Sequence, residues 1–162
     1  MLDAMQFDPR ALRNAFGCFP SGVTVVTTRD HGGRPTGVTV SSFSSLSLEP
    51  PLCVFSLIRT QVSCRWIEAR RAFTVNILEA RQTETAMQFA TPSEDKFAGI
   101  DWSEGRNGMP VIDGSLAHFE CSKWATYDGG DHLLIVGQIT HFARTEGVPL
   151  IYRDGKIAVA TG

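Results

Sequence analysis

The sequence predicts a mainly β protein, an antiparallel barrel with peripheral helices. Short runs rich in β-branched and aromatic residues recur along the chain, turn residues separate them, and only two or three segments have helical character. Because most connections are hairpin-like, a barrel of about six to eight strands is favoured over a doubly wound parallel sheet. We expect one domain spanning residues 1–162, with residues 1–8 as a loose N-terminal arm.

The most secure local prediction is a hairpin near the N-terminus. A β-branched strand at 22–28 leads into the turn Asp30-His31-Gly32-Gly33, whose glycines suit positive φ. Its partner runs from about Arg34 into the hydroxyl-rich stretch that follows. Further strands are predicted at 52–58, 73–78, 116–127, 132–142, 150–152 and 156–159.

Helices are predicted from capping residues and apolar spacing. Asp8 and Pro9 are typical of a helix start, and an apolar face follows at Leu12, Ala15, Phe16 and Phe19. Two more helices are expected, one through Trp66 and Ile67 and one from about Ala80 to Phe89. We expect a turn with a single helical turn at 91–97 and a surface loop at 101–114.

Composition excludes several classes of function. The net charge of -2 argues against general nucleic-acid binding, because there is no basic excess to offset phosphates. No signal peptide or membrane-spanning apolar run is visible, so we expect a cytoplasmic protein that does not enter a membrane. The four cysteines form no C-x-x-C pair and the four histidines have no short ligand spacing, so the sequence predicts no metal site.

Common catalytic motifs are also missing from the sequence. No G-x-G-x-x-G follows the first strand, and neither a Walker A pattern nor a G-x-S-x-G elbow occurs. Nothing in the sequence pairs a particular serine or cysteine with a histidine. Nicotinamide binding by a Rossmann unit and nucleophilic catalysis therefore have no support.

The most unusual stretch is the hydroxyl block, residues 38–47. Six of the nine residues from Thr39 to Ser47 are serine or threonine, with Phe43 and Leu46 as apolar anchors. Such a block can be a turn that bonds its own backbone, or a set of neutral donors for a phosphate-bearing cofactor. Three residues elsewhere favour the second interpretation: Arg59 at a strand end, Lys96 in a turn and His132 after Gly130-Asp131.

At these residues the sequence resembles the short-chain flavin reductases, the small components of two-component flavin-dependent monooxygenases. The resemblance spans nearly the whole chain, and the hydroxyl block and Gly130-Asp131-His132 are its most specific parts. The other matching stretches are 19–27, 37–51, Phe55-Ser56-Leu57, Arg59-Thr60, 73–78, Phe89-Ala90, Asp95-Lys96-Phe97, Val136-Gly137 and 149–153.

The resemblance implies a Greek-key split barrel that binds FMN or FAD, usually as a homodimer. In such proteins NADH or NADPH reduces the flavin, which often leaves to serve a partner monooxygenase. The implied cofactor-binding residues near the isoalloxazine and ribityl groups are Thr39, Ser41 and Ser42. Those on the ribityl-phosphate side are Ser56, Arg59, Thr60 and Lys96, and Val40, Leu57, Ser63 and Ala90 complete the set. His132 would meet the nicotinamide, and no catalytic side chain is expected.

Other interpretations remain open at this level. The family often carries further serines after Arg59-Thr60, whereas this chain has Gln61-Val62-Ser63 on the phosphate side. Arg59 is alternatively a solvated strand end, Lys96 a surface lysine and His132 a packed turn residue. The same barrel can also serve a flavin- or haem-binding protein without reductase activity, a flavoenzyme that keeps its flavin and acts on a small organic substrate, or an interaction subunit.

Overall fold

The computed structural model describes residues 7–161, which form twelve strands and three α-helices. The helices are α1 (Pro9–Gly17), α2 (Val62–Ala69) and α3 (Thr83–Ala90), the last preceded by a 3₁₀ turn at Ala80–Gln82. The strands are β1 (Ser21–Gly22), β2 (Thr24–Arg29), β3 (Pro35–Val40), β4 (Ser44–Leu48), β5 (Pro51–Ile58), β6 (Ala72–Ile77), β7 (Trp102–Glu104), β8 (Pro110–Ile112), β9 (Ala117–Gly129), β10 (His132–Arg144), β11 (Leu150–Arg153) and β12 (Lys156–Val159).

A seven-stranded antiparallel sheet forms the barrel wall, in the order β3-β2-β6-β9-β10-β5-β4. Strand β3 also contacts β5, which brings the two ends of this order together. A three-stranded sheet, β1-β11-β12, and the hairpin β7-β8 lie outside the wall. The predicted mainly β, antiparallel fold is confirmed, although the count of six to eight strands is too low.

Two apolar clusters hold these layers together. The first fills the inside of the barrel around Phe55 and Phe73, whose rings meet edge to face at 5.2 Å. The second lies between the outer face of the wall, α3 and the outer strands, with Phe89 and Leu150 fully buried. Helices α2 and α3 both contact β3, α2 through the inner cluster and α3 beside the outer one, and this arrangement shapes the site described below.

Local signals in the sequence are well matched by the structure. The Asp8 carboxylate caps α1 by accepting a hydrogen bond of 3.0 Å from the Arg10 N–H, and Pro9 occupies the first turn. Strands β2 and β3 pair from Thr24–Val40 to Arg29–Pro35, and Gly33 in their turn has φ of 82°. Of the predicted N-terminal arm, residues 1–6 lie outside the described residues, and Asp8 belongs to the helix cap.

Two local predictions are wrong. Residues 101–114 form the β7-β8 hairpin rather than a surface loop, because Pro110 and Ile112 are buried against the wall. Residues 91–97 contain turns but no helix, where a single helical turn is expected. The strand expected from about Arg34 into the hydroxyl block is present as β3 and ends at Val40, and β4, in the rest of the block, pairs with β5. Within residues 7–161, no helix has the length and apolar character that crossing a bilayer requires.

Candidate functional site

A cavity of about 750 Å³ lies over the edge strand β3, between the start of α2 and the end of α3. Its volume is in the range of roughly 300–1,000 Å³ that small-molecule sites occupy. Four of the residues predicted to bind the cofactor line it: Thr60, Ser63, Ala90 and Lys96.

The N-terminus of α2 supplies the electrostatic feature of this cavity. Gln61 is the N-cap residue, but its side chain forms no capping hydrogen bond, and the first turn contains no acidic residue. The backbone N–H groups at a helix N-terminus attract anions because they carry partial positive charge. With the Thr60 and Ser63 hydroxyls beside it, this end of the cavity suits a phosphate group.

Lys96 lies in the wall of the same cavity and is buried, with 9% of its surface exposed. Its Nζ donates hydrogen bonds to the Phe89 carbonyl at 3.0 Å and to the Thr91 carbonyl, so the ammonium group holds the end of α3. Burial lowers the pKa of Lys96. The surface-lysine alternative is therefore wrong. Since an ammonium has three donors, one remains for a ligand.

Two further cavities extend the first along the barrel. Ala90 lines both the first and a second cavity of about 650 Å³, which also contacts Thr39 and Ser41. Ser41 in turn borders a third cavity of about 830 Å³, which reaches Ser42 and α1. These three adjoining cavities, called the groove below, bring together seven predicted residues from four separate parts of the sequence.

The hydroxyl block serves both the fold and the groove. The Thr39 hydroxyl donates a hydrogen bond of 2.6 Å to the Ala86 carbonyl of α3. The Ser42 hydroxyl accepts from the Ser56 N–H at 2.9 Å and donates to the Ser56 carbonyl at 3.1 Å. Ser41 is exposed and lines two of the cavities. The Thr39 and Ser42 hydroxyls thus bond to the backbone of the fold, whereas a role of Ser41 as a donor to a cofactor stays a prediction.

Two predicted residues, Val40 and Leu57, belong to the barrel core. Their exposed fractions are 4% and 3%, and both pack in the apolar cluster inside the barrel. Any contact with a cofactor is therefore limited to their backbone groups.

Arg59 and His132 lie together at the end of β5 and β10, outside the three cavities. The Arg59 Nε donates to the Gly130 carbonyl at 2.9 Å, and its Nη2 pairs with Asp128 at 2.5 Å. The His132 Nδ1 lies 2.7 Å from the Asp131 carboxylate. The Gly130 N–H and then Arg59 lower the pKa of Asp128, and His132 lowers that of Asp131. Arg59 thus fixes the turn that carries His132, and is not merely a solvated strand end.

Sequence reasoning missed several residues of the groove. His31 stacks on Trp66 with ring centroids 5.2 Å apart, and both line the first cavity. Tyr152 borders the second and third cavities, where the pairing of β11 with β1 places it. The third cavity also contacts Phe16 and Phe19 of the apolar face predicted for α1. No short motif joins these residues, because the tertiary fold alone brings them together.

Comparison with known proteins identifies the family. Residues 16–161 match the family described as flavin reductase like domain. The chain belongs to this family. It is 42% identical over 154 residues to the reductase subunit HsaB of a flavin-dependent monooxygenase from Rhodococcus jostii, covering 94% of the chain and 78% of that subunit. The family and the fold predicted from the sequence are thereby confirmed.

A second relative and a solved structure agree with this assignment. The stachydrine N-demethylase reductase subunit Stc3 of Rhizobium meliloti is 45% identical over 136 residues, or 84% of this chain. The NADH:FAD oxidoreductase SgcE6 of Streptomyces globisporus, solved in complex with NAD and FAD fragments, is 37% identical with a TM-score of 0.87, covering 96% of each chain. The present chain spans 59% of the length of Stc3 and 45% of another Rhizobium meliloti relative.

Proposed function

We propose that the protein is an NAD(P)H-dependent flavin reductase, which transfers a hydride from NADH or NADPH to FMN or FAD. The observation that carries the proposal is the groove over β3, which combines an uncapped helix N-terminus with neutral hydroxyl groups in a member of this family. The protein similar to it that was solved with NAD and FAD fragments is named an NADH:FAD oxidoreductase, which supports the same activity here.

The residues of the groove fit a flavin nucleotide. The N-terminus of α2, with Thr60, Ser63 and the remaining donor of Lys96, would hold phosphate at one end. Thr39, Ser41 and Ala90 continue the wall towards the other end, where uncharged groups suit the ribityl chain and the ring. In our proposal the backbone groups of Val40 and Leu57, and Ser56 beneath Ser42, complete the flavin-binding set. His132 would contact the nicotinamide.

The residues of the chain bind and orient the reactants. A bound flavin would supply the hydride acceptor and a bound nicotinamide the hydride donor, so the redox chemistry would belong to the two cofactors. The protein contributes by stacking them at a reactive distance and by placing hydrogen-bond donors where negative charge develops. Hydroxyl and backbone N–H groups can do this without an activated nucleophile, consistent with the absence of a catalytic motif from the sequence.

We further propose that the reduced flavin is released to a flavin-dependent monooxygenase. The relative HsaB is named as the reductase subunit of such an enzyme, and the open form of the groove suits exchange of the flavin.

We expect one domain acting in the cytoplasm as a homodimer. The match over residues 16–161 supports the single domain, four free cysteines suit a reducing compartment, and exposed apolar residues on β9 and β10 support dimerisation.

The activity is tested by mixing the purified protein with each pairing of NADH or NADPH with FMN or FAD, and following loss of the reduced nicotinamide absorbance without oxygen. We expect turnover that depends on added flavin. Failure with all four pairings would exclude a flavin reductase. Visible chromophore binding without nicotinamide oxidation would indicate a binding protein instead. Activity without added flavin, with flavin retained through gel filtration, would indicate a flavoenzyme that does not exchange it.

The proposed roles of individual residues are separated by two substitutions. Replacing His132 with alanine should raise KM for the nicotinamide by about five- to tenfold, the cost of one hydrogen bond, and leave flavin affinity within about twofold. Ser63→Ala should weaken flavin binding and leave the KM for the nicotinamide nearly unchanged, because Ser63 lines the end of the groove assigned to phosphate. Steady-state kinetics and flavin titration measure both constants. Equal effects of each variant on both constants would reject these assignments.

A further inference from the structure

Two histidines and one glutamate converge on the outer face of β9 and β10, away from the groove. His118 and Glu120 are two residues apart on β9 and therefore point to the same side of the strand. Their neighbours Phe119 and Cys121 pack towards the barrel core, so His118 and Glu120 face outward. His141 on β10 lies directly opposite Glu120. One donor atom from each of the three residues lies within 4.8 Å of the others.

Glu120 is the decisive member of this cluster because it is an acidic residue with only 2% of its surface exposed. Its Oε2 accepts a hydrogen bond of 2.9 Å from the Asn107 N–H. Its Oε1 faces the His118 Nε2 at 3.6 Å, which is too long for a hydrogen bond. Burying a carboxylate is costly unless a cation or a full set of donors compensates it. The geometry thus leaves Oε1 facing the His118 imidazole without a hydrogen bond, and the His141 imidazole lies in the same cluster.

We propose that His118, Glu120 and His141 bind a divalent transition-metal ion, Zn²⁺, on the outer wall of the barrel. Two imidazole nitrogens and one carboxylate oxygen form a common zinc ligand set, which leaves a fourth position for water. Bonds of about 2.0–2.2 Å place the donors of a tetrahedral site about 3.3–3.6 Å apart, so small side-chain rotations would close the present cluster. The Asn107 N–H already orients the carboxylate from behind, as outer partners of metal ligands do.

The proposed metal would tie three elements together. Its ligands come from β9 and β10, and through Glu120 and Asn107 it is connected to the segment that joins β7 to β8. Gly105 packs against the same carboxylate, since a Cβ at this position would lie 3.0 Å from the Glu120 Cδ. We therefore expect metal binding to stabilise this side of the barrel. The site does not depend on the proposed flavin reductase activity.

The experiment uses the full chain with Cys18 replaced by serine, because this exposed thiol could bind metal on its own. The protein is first freed of metal with a chelator and then titrated with Co²⁺, whose visible absorption reports tetrahedral coordination. We expect one Co²⁺ per chain, its displacement by Zn²⁺, and a higher Tm with Zn²⁺ than without. His141→Ala should weaken binding by more than about tenfold and abolish the rise in Tm. His31→Ala, an exposed histidine outside the cluster, is the matched control and should bind like the parent.

Several results would overturn the proposal. One is the absence of stoichiometric Co²⁺ binding by the parent protein. Another is a Co²⁺ affinity that is unchanged in both single variants, His141→Ala and His118→Ala. The Tm of each variant without metal shows whether it folds, and His141→Gln replaces His141→Ala if the latter does not. X-ray absorption of the zinc-loaded parent supplies a measurement without substitution: a spectrum that lacks imidazole scattering would also reject the site.

Discussion

Ser41 and Ser42 are neighbours in the hydroxyl block, yet only the hydroxyl of Ser42 is bound into the fold. It joins the corner between β3 and β4 to both backbone groups of Ser56 on β5. Ser41 instead faces two of the cavities that form the groove. Adjacent residues of the same type therefore have different proposed roles, one structural and one in ligand binding.

This difference predicts different effects of alanine at the two positions. Ser42→Ala should lower the free energy of unfolding by about 1 kcal/mol, because the Ser56 backbone loses its partner. Ser41→Ala should change it by less than about 0.5 kcal/mol, as expected for a surface position, but weaken flavin binding. Urea unfolding and flavin titration test the pair. Equal losses of stability, or tighter flavin binding by Ser41→Ala, would contradict the proposed division of roles.

Asp30 in the β2-β3 turn couples stability to pH. The Arg34 N–H and then the Arg34 side chain favour its charged form, so the pKa of Asp30 lies below its ordinary value of 3.8. The unfolded chain therefore takes up a proton first as the pH falls. The stabilisation by Asp30 is complete above about pH 3.8, the ordinary pKa of the group. It is lost as the pH falls through the lower pKa of the folded state.

Replacing Asp30 with asparagine should flatten the acid part of the stability profile. Between about pH 4 and pH 2, the urea concentration at the unfolding midpoint should fall further for the parent than for Asp30→Asn. The variant has no carboxylate at this position to protonate. Asp101→Asn, at an exposed position before β7, is the matched control and should follow the parent. Parallel profiles for the parent and Asp30→Asn would show that this carboxylate does not contribute.

At the level of elements, α3 depends on a glycine in the strand beneath it. A Cβ at Gly37 of β3 would lie 2.8 Å from the Val26 carbonyl and 3.2 Å from the ring of Phe89. Phe89 is fully buried, and its carbonyl accepts the Lys96 hydrogen bond at the wall of the groove. The position of α3, and with it the shape of the first cavity, therefore depends on the close approach that Gly37 allows.

Gly37→Ala should both destabilise the protein and weaken flavin binding. We expect a loss of about 1–3 kcal/mol in the free energy of unfolding, the usual cost of overpacking, because neither the carbonyl nor the buried ring has room to move. Gly22→Ala is the matched control, since a Cβ there meets no atom within 4 Å. Urea unfolding and flavin titration measure both effects. A Gly37→Ala protein as stable as Gly22→Ala would show that α3 is not held as described.

Elements with local signals were predictable from the sequence, and those with distant partners were not. The cap of α1 and the β2-β3 hairpin depend on residues within a few positions of each other. The β7-β8 hairpin depends on Asn76, whose Oδ1 accepts from the Ile112 N–H at 2.9 Å. No local pattern in its glycine- and proline-rich segment reveals that contact, nor the meeting of His118 with His141 across two strands. The family resemblance supplied the candidate site, but not which hydroxyl groups the fold already uses.

At the scale of the whole molecule, a single chain leaves large apolar side chains uncovered. On β4, β9 and β10 the exposed residues are Leu46, Leu48, Trp124, Tyr127, Leu134 and Phe142, and Leu12 and Phe16 of α1 are also exposed. Leu134 and Tyr127 are direct cross-strand partners. Apolar side chains concentrated on neighbouring elements are typical of interaction sites. Covering them with a second copy of the chain accounts for this surface and agrees with the proposed homodimer.

A charge placed on this surface should therefore oppose self-association. Leu134→Asp should raise the dimer dissociation constant by more than about tenfold, because a carboxylate would be buried without a partner. Light scattering coupled to gel filtration at micromolar concentrations should show a dimer for the parent and a shift towards monomer for the variant. Val148→Asp, at an exposed apolar position in the segment before β11, should remain dimeric as the control. A monomeric parent would refute the homodimer, and a dimeric Leu134→Asp protein would place its interface elsewhere.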